Sequence, residues 1–313
     1  MTIQKKLLVL VDGSERSIQT AEYVKNFLPV DKNTRIVLFH VFGGVPKEYR
    51  ELVKNPTCAD AVHQLKNLET AQQRQLREYL ERVKQILITG GFSEDSVEIR
   101  FHPLEKGVAR DIIEEAKKGY SAVVMRRRGM GALTSIILGS VAVKLLQSLT
   151  FIPIIIVGQT PPVRKILLAA DESPFSMKAV EFVTSMIGGD DYEVCIFHAI
   201  IGLSAISFEM PAVYAEPEMP DNCIEVFKSK VVKLFQDIKG RLTASGFESE
   251  KISEKIISGV YSRSDAIIKE AEDGGYGTIV VGRRGLSKVE AFFMGRVGHE
   301  VVYGGKKFTV WVV

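Results

Sequence analysis

The sequence contains one stretch twice, and this duplication limits the folds that the chain of 313 residues can adopt. The copies are Val123–Gly129 followed by Gly139-Ser140, and Ile279–Gly285 followed by Gly295-Arg296. In each copy an apolar run ends in arginines and a glycine, and nine residues separate that glycine from a second one, Gly139 or Gly295. A run with helical spacing then follows. The pattern predicts a buried strand, a glycine turn and a helix start, once in each half of the chain.

The segments around this stretch repeat as well, so both halves are predicted to have the same order of elements. The predicted strand Lys6–Val11 is followed by Asp12, and Lys165–Ala170 is followed by Asp171. Serines that can cap the next helix follow at matching positions: Ser14 and Ser17 in the first copy, Ser173 and Ser176 in the second. Gly259 is expected to take the place of Gly107. Continuous apolar strands that alternate with amphipathic helices are typical of a parallel sheet covered on both faces.

The predicted fold is therefore α/β, with two tandem doubly wound parallel-sheet domains of Rossmann-like type and five strands each. The break at Pro161-Pro162 predicts a first domain over residues 1–158 and a second over residues 163–313. The second copy has an insert, Gly202–Asn222, which we interpret either as a lid or contact surface or, more commonly for such segments, as an irregular loop packed on its own domain.

The final strand of each copy, Ile152–Val157 or Phe308–Val313, is a candidate sheet edge. Natural proteins pair or cover such edges, so we expect the two strands to pair inside one chain as a pseudo-dimer. Separate docking of each strand on its own domain is the alternative, and a homodimer of the whole chain stays open.

Composition excludes several classes of protein. The net charge of +3 is spread over 41 basic and 38 acidic residues, which favours neither a nucleic-acid partner nor a membrane surface. The three cysteines, Cys58, Cys195 and Cys223, lack metal-ligand spacing and are expected to be reduced. With neither a secretory signal nor an apolar run of membrane-spanning length, a soluble cytoplasmic protein is expected.

The glycine pattern of the second copy, Gly-x2-Gly-x9-Gly at Gly282, Gly285 and Gly295, resembles the nucleotide-binding signature of the universal stress protein family. That family usually continues with Ser or Thr, where this copy has Arg296. The first copy keeps Gly129, Gly139 and Ser140 but has Arg126 in the place of the opening glycine. The resemblance covers nearly the whole chain twice and implies the adenine nucleotide alpha hydrolase-like version of the Rossmann-like fold.

This resemblance implies two sites for an adenine nucleotide, ATP or AMP with or without Mg²⁺, of which at least one is expected to bind. In the first, Asp12 and Val41 are assigned to the base or ribose, and Gly129, Gly139 and Ser140 to the phosphates. In the second, the matching residues are Asp171, Ala199, Gly282, Gly285 and Gly295. Arg126 and Arg296 are expected either to pair with a phosphate or to occlude the pocket. The alternative role for both aspartates is to cap the following helix.

Four further arginines in these loops either add positive potential or are exposed turn residues paired with acids, the commoner fate of surface arginines. They are Arg127, Arg128, Arg283 and Arg284. His40 and His198 have no neighbouring catalytic partner in the sequence, so structural roles are favoured over catalysis.

The resemblance thus implies a tandem universal stress protein, a nucleotide-binding stress-response or signalling module that is non-catalytic or hydrolyses slowly and acts on an unknown protein partner. A protein-interaction module with degenerate sites and a weak ATPase are the alternatives. The sequence has no Gly-x4-Gly-Lys-Ser/Thr phosphate loop.

Overall fold

The fold is a three-layer α/β arrangement in which the described part of each repeat contains five strands and four α-helices. The computed structural model describes residues 4–45, 49, 59–127, 138–159, 161–189, 191–202, 221–284 and 294–313. The elements of the first repeat are β1 (Lys5–Leu10), α1 (Glu15–Phe27), β2 (Thr34–Phe42), α2 (Ala59–Thr89), β3 (Val97–Pro103), α3 (Val108–Ala116), β4 (Ala122–Arg126), α4 (Ser140–Ser148) and β5 (Ile154–Val157).

The second repeat follows the same order, as the duplication predicts. Its elements are β6 (Lys165–Ala169), α5 (Pro174–Met186), β7 (Glu193–Ile201), α6 (Asp221–Ala244), β8 (Ile252–Val260), α7 (Arg263–Asp273), β9 (Thr278–Val281), α8 (Arg296–Gly304) and β10 (Thr309–Val312). Most of the insert predicted at Gly202–Asn222 lies outside the described residues.

All ten strands belong to one sheet, in the order β3-β2-β1-β4-β5-β10-β9-β6-β7-β8. Strands within a repeat are parallel, and the two repeats meet at β5 and β10, which pair antiparallel with Ile155 opposite Trp311. The predicted intramolecular pairing of the two final strands is therefore confirmed. The pairing uses the backbone groups that would otherwise form an open edge of each sheet.

One apolar core lies on each face of the sheet, and both cores run through both repeats. On one face α1, α2, α5 and α6 cover residues such as Leu7 and Trp311, and on the other α3, α4, α7 and α8 cover residues such as Leu8 and Val310. Each of these four side chains is fully buried. Burial on both faces explains why the inner strands are continuous apolar runs, whereas the outermost strands, β3 and β8, also carry charged residues.

The side chain of Trp311 lies at the centre of the junction between the repeats. Its ring packs edge-on against Phe27, with the ring centroids 5.8 Å apart, and against Phe182 at 5.3 Å. The hydroxyl of Tyr192 donates a hydrogen bond to the carbonyl of Phe27. The repeats thus share buried aromatic contacts as well as a strand pairing.

Gly259 and Gly107 are not equivalent, so that prediction is wrong. Gly107 precedes the first residue of α3, whereas Ser262 takes that place before α7 and its Oγ accepts a hydrogen bond from the N–H of Asp265. Gly259 lies instead in β8, where the register with β7 skips one residue, and its φ of +78° suits glycine.

None of the helices in the described part of the chain combines the length and apolar character that a bilayer crossing requires.

Candidate functional site

The carboxyl ends of β1 and β4 form a topological switch point in the first repeat. Strand β1 lies between β2 and β4, so the connections that follow β1 and β4 diverge on opposite sides. In the second repeat β6 lies between β7 and β9 in the same way. Ligands of open α/β sheets bind in the crevice outside such a point. Asp12 and Asp171 follow β1 and β6, so both are at the predicted place in the fold.

Both aspartates hold the turn that leads into the next helix. Oδ1 of Asp12 accepts hydrogen bonds from the N–H of Ser14 at 3.0 Å and from its hydroxyl at 2.6 Å. Oδ1 of Asp171 accepts from the N–H of Ser173 at 3.0 Å and from the hydroxyl of Ser176 at 2.8 Å. Burial alone would raise the pKa of Asp12, but the bonds from Ser14 hold it below its usual value. The aspartates thus bind the residue directly before each helix, and within the described residues neither helix start has the side-chain cap that the sequence offered as the alternative role.

A histidine from the neighbouring strand supports each aspartate turn. Nδ1 of His40 lies 2.6 Å from the carbonyl oxygen of Val11, and Nδ1 of His198 lies 2.7 Å from that of Ala170. Because a carbonyl oxygen only accepts, Nδ1 must carry the proton in both rings. Burial lowers the pKa of His40, and the bond to Val11 only partly opposes this effect. These contacts agree with the predicted structural role and place it beside the site, a location that the repeated Phe-His pair alone did not indicate.

Helices α4 and α8 begin directly after Gly139 and Gly295. The carbonyl oxygens of these glycines accept the first helical bonds, from the N–H of Val143 and of His299, each at 3.0 Å. The N–H groups of the residues between have no partner within the helix, and a glycine has no side chain that could cap them. The positive end of the helix dipole adds to their attraction for an anion. Gly129 and Gly285 lie outside the described residues.

The arginines that depart from the family pattern are bound within the protein. Arg126 donates from Nη1 to the carbonyl oxygen of Gly158 at 2.8 Å. Arg296 is 88% exposed and pairs from Nε with Oε1 of Glu300, one turn along its own helix, at 2.8 Å. Oε2 of Glu300 accepts the hydroxyl of Ser264. The side chain of Arg296 therefore lies along the surface of α8.

Gly282, the opening glycine of the second copy, is required by packing. A Cβ at this position would lie 2.9 Å from Cβ of Phe175 and 3.3 Å from the carbonyl oxygen of Arg284. The hydroxyl of Ser173 is 3.4 Å from the same carbonyl oxygen. The start of α5 thus contacts the loop after β9, and the structure brings the two parts of the predicted second site together.

The positions assigned to the purine differ between the repeats. Ala199 is almost fully buried in β7, and its carbonyl oxygen accepts a hydrogen bond from Nε of Arg263 at 3.2 Å. Arg263 is the first residue of α7, and the first residue of α3 is Val108, which has no donor in its side chain. Val41 therefore has no such donor from the matching helix position.

Arg127 and Arg283 are buried, which contradicts the role of exposed turn residues paired with acids. Each side chain is 5% exposed. Nη1 of Arg127 donates to the carbonyl oxygen of Val302 in the second repeat, whereas Arg283 donates from Nη1 and Nη2 to those of Leu146 and Leu149 in the first, at 2.8 Å each. Burial lowers the pKa of both guanidinium groups to about 10. Arg284 is exposed, and Arg128 lies outside the described residues.

Within the described ranges, no group of three or more His, Cys, Asp or Glu side chains is placed to hold a metal ion. The donors assembled around the two switch points are backbone N–H groups at helix starts, and the acceptors are the aspartates and the strand-end carbonyls. This set suits an organic anion with hydroxyl groups.

Comparisons with known proteins agree on the family. The sequence model of the universal stress protein family matches residues 4–158 and, a second time, residues 162–313. A universal stress protein of Bacillus subtilis, YxiE, is 26% identical over 144 residues, which cover 44% of this chain and 90% of that protein.

Solved structures of the same kind match both repeats together. A universal stress protein from Archaeoglobus fulgidus superposes with a TM-score of 0.62 at 21% identity, covering 99% of this chain and 98% of that one. A protein from Pseudomonas aeruginosa described as a putative universal stress protein gives 0.57 at 14% identity, covering 99% of this chain and 92% of its own. Identities this low establish the fold alone.

Proposed function

We propose, on the premise that this chain belongs to the universal stress protein family and contains its domain twice, that it is a stress-response or signalling module controlled by an adenine nucleotide. The nucleotide is ATP or AMP, bound in at least one of the two switch-point sites, and its presence sets the conformation offered to a protein partner.

The observation that carries this proposal is the glycine-started helix at each switch point. In the first site the N–H groups after Gly139, together with the exposed hydroxyl of Ser140, would hold the phosphates, and Gly129 would belong to the same loop. The exposed carboxylate of Asp12 would accept ribose hydroxyl groups, and the backbone of Val41 would meet the adenine edge. Any Mg²⁺ would arrive with the phosphates.

The second site would use Asp171, Ala199, Gly282, Gly285 and Gly295 in the same roles. Two contacts make it the weaker site in this proposal. Arg263 already donates to the carbonyl of Ala199, and Arg296 is held by Glu300 where the first site has the hydroxyl of Ser140. The first site is therefore proposed to bind the nucleotide more tightly.

No residue is assigned to catalysis in this proposal. The carboxylates of Asp12 and Asp171 hold turns, and His40 and His198 use Nδ1 to bind carbonyls, so their positions are explained without a reaction. Slow hydrolysis is the second candidate activity, and phosphate release measured alongside binding separates a storage or signalling site from an ATPase.

Titration calorimetry with ATP and with AMP tests the proposal on the wild type, Asp12→Ala, Asp171→Ala and the double variant. We expect Asp12→Ala to weaken binding about tenfold or more and the double variant to abolish it. Asp31→Ala is the matched control, because Asp31 accepts the N–H of Asn33 at 2.9 Å in the same kind of turn but lies before β2, at the opposite end of the sheet. Wild-type protein that binds neither nucleotide would leave the protein-interaction module as the surviving function.

A further inference from the structure

Two buried arginines connect the repeats in a reciprocal way. Arg127 follows β4 of the first repeat and donates to Val302, in the last turn of α8 of the second. Arg283 follows β9 of the second repeat and donates to Leu146 and Leu149, at the end of α4 of the first. Val302 and Leu146 are each the seventh residue of their helix, so the two contacts are related by the symmetry of the duplication.

These arginines bind backbone carbonyl groups at the C-terminal end of a helix, where carbonyls have no N–H partner within the helix. The carbonyls of Leu145 and Val301 still accept N–H groups of their own chain segment, from Leu149 at 2.8 Å and Gly305 at 2.9 Å. The next carbonyl in each helix is the one bound by an arginine. The last turn of a helix also carries partial negative charge, which stabilises a nearby cation.

These contacts compensate for the burial of two positive charges. Neither Arg127 nor Arg283 forms a salt bridge to a carboxylate within the described residues, and each is 5% exposed. Nε and Nη2 of Arg127 have no hydrogen-bond partner in that part of the chain. A buried guanidinium bound mainly to helix carbonyls is costly unless those carbonyls stay in place, so the position of each arginine and that of its target helix depend on each other.

The helix that each arginine binds begins at the switch-point site of the other repeat. Helix α4 is nine residues long and starts at the first site with Ser140, and α8 has the same length and starts at the second site with Arg296. Arg283 itself lies in the loop of the second site, next to Gly282, and Arg127 lies in the loop of the first, next to Arg126. Each loop is thus joined through one short, packed helix to the anion-binding end of the other site.

We propose that Arg127 and Arg283 are positioning residues that couple the two switch-point sites, each transmitting the position of its own loop to the helix start of the other repeat. The mechanical link stands on the contacts alone, whereas its meaning for ligand binding rests on the proposed nucleotide function. Where both sites bind, occupation of one changes the affinity of the other by the same factor in either direction.

Hydrogen exchange of the ligand-free protein tests the link without any nucleotide. Arg283→Lys keeps the charge but loses the planar fork that binds two carbonyls, and Arg127→Lys keeps the charge but loses the planar guanidinium that binds the carbonyl of Val302. We expect Arg283→Lys to speed exchange about fivefold or more at the amides of α4, in the opposite repeat, and Arg127→Lys to do the same in α8. Arg284→Lys, the exposed neighbour in the same loop, is the control and should leave both helices unchanged.

Two results would overturn the link. One is faster exchange confined to the repeat that carries the substitution, and the other is an equal increase over all helices, including α2 and α6, which these arginines do not bind in the described part of the chain. Arg283→Gln and Arg127→Gln, which keep a donor of shorter reach, give the same comparison if a lysine variant does not fold.

ATP titration then tests the coupling. In an Asp171→Ala background, which silences the second site, Arg283→Lys is expected to weaken binding at the first site about fivefold while Arg284→Lys does not. Equal affinities in these two variants would overturn the coupling even if exchange in α4 changed. Absence of both ATP and AMP binding in every protein, the wild type included, would instead refute the nucleotide function, and the exchange experiment would still decide the mechanical link.

Discussion

The indole N–H of Trp311 donates a hydrogen bond to the hydroxyl oxygen of Tyr23 at 2.9 Å. Trp311 lies in the last strand of the second repeat and Tyr23 in the first helix of the first repeat, and both side chains are almost fully buried. The hydroxyl of Tyr23 also lies 3.5 Å from Oγ1 of Thr278. A polar contact in the middle of the shared apolar core thus fixes how the two repeats pack.

Tyr23→Phe should therefore destabilise the protein, because it leaves the indole N–H of Trp311 buried without its acceptor. We expect a loss of about 1–3 kcal/mol in the free energy of unfolding. Trp311 is the only tryptophan, so urea unfolding followed by its fluorescence reports on the junction and can be compared with circular dichroism. Tyr261→Phe, at a side chain with 69% exposure, is the control and should change stability by less than about 0.5 kcal/mol. Equal effects of both variants would mean that the buried bond contributes nothing.

Swapping the first residues of α3 and α7, Val108 and Arg263, should change the relative nucleotide affinities of the two proposed sites. Arg263→Val frees the carbonyl of Ala199 and gives the second site the residue that the first has at Val108. We expect ATP affinity at the second site to rise by about tenfold at most, measured by calorimetry in an Asp12→Ala background. Val108→Arg in an Asp171→Ala background should weaken the first site. No change in either background would show that this helix position does not influence binding.

Gly282→Ala should destabilise the second repeat even without a ligand. The new methyl group would meet Phe175 at 2.9 Å, which forces the start of α5 and the loop after β9 apart. Overpacking of this kind costs about 1–3 kcal/mol and should appear as a lower melting temperature. Gly188→Ala is the control, because nothing lies within 4 Å of a Cβ added there. If both variants melt alike, the opening glycine is not required by packing.

Asp111 should make stability depend on pH. Its buried carboxylate accepts the N–H groups of Glu105 and Lys106 at 3.0 Å each. Burial alone would raise the pKa of Asp111, but these bonds hold it below the usual value. Because the folded-state pKa is lower than the unfolded one, the stabilisation is complete above the unfolded pKa of about 3.9 and is lost as the pH falls through the folded pKa.

Asp111→Asn is accordingly expected to lower the free energy of unfolding by about 1–2 kcal/mol at pH 7, with a smaller difference between variant and wild type at pH 3. Urea midpoints at the two pH values measure this. Glu114→Gln removes an exposed carboxylate that pairs with the exposed Lys117 and should have little effect at either pH. A variant effect that grows toward acid would contradict the assignment.

The sequence predicted the order of the elements in each repeat and the place of the two aspartates in the fold. Continuous apolar runs located the strands other than the outermost pair, β3 and β8, and a parallel sheet then required Asp12 and Asp171 to lie at the carboxyl edge. The pairing of the two final strands was also predicted, because an uncovered final strand needs a partner and the chain offers a second one, but the register that sets Ile155 opposite Trp311 was not. These inferences depend on local periodicity and on backbone hydrogen bonding, both of which are visible in one sequence.

Local sequence patterns did not predict the side-chain contacts between the repeats. Nothing near Arg283 in the chain shows that its partners are carbonyls of Leu146 and Leu149, more than a hundred positions away. Backbone acceptors have no residue identity, so a buried arginine that binds them resembles a surface arginine in the sequence. The pair of Arg296 and Glu300 is different, since its spacing of four residues on a predicted helix was a usable signal. Gly259 was misassigned because a bulge glycine and a helix-start glycine look the same in the sequence.

The antiparallel joining of β5 and β10 within one polypeptide has an evolutionary consequence. In an assembly of two identical subunits, every substitution occurs on both sides of the dyad at once. Here each side mutates independently, so the residues around one switch point can change while those around the other stay the same. The difference between Val108 and Arg263 is the kind of divergence that fusion permits and that a symmetric dimer forbids.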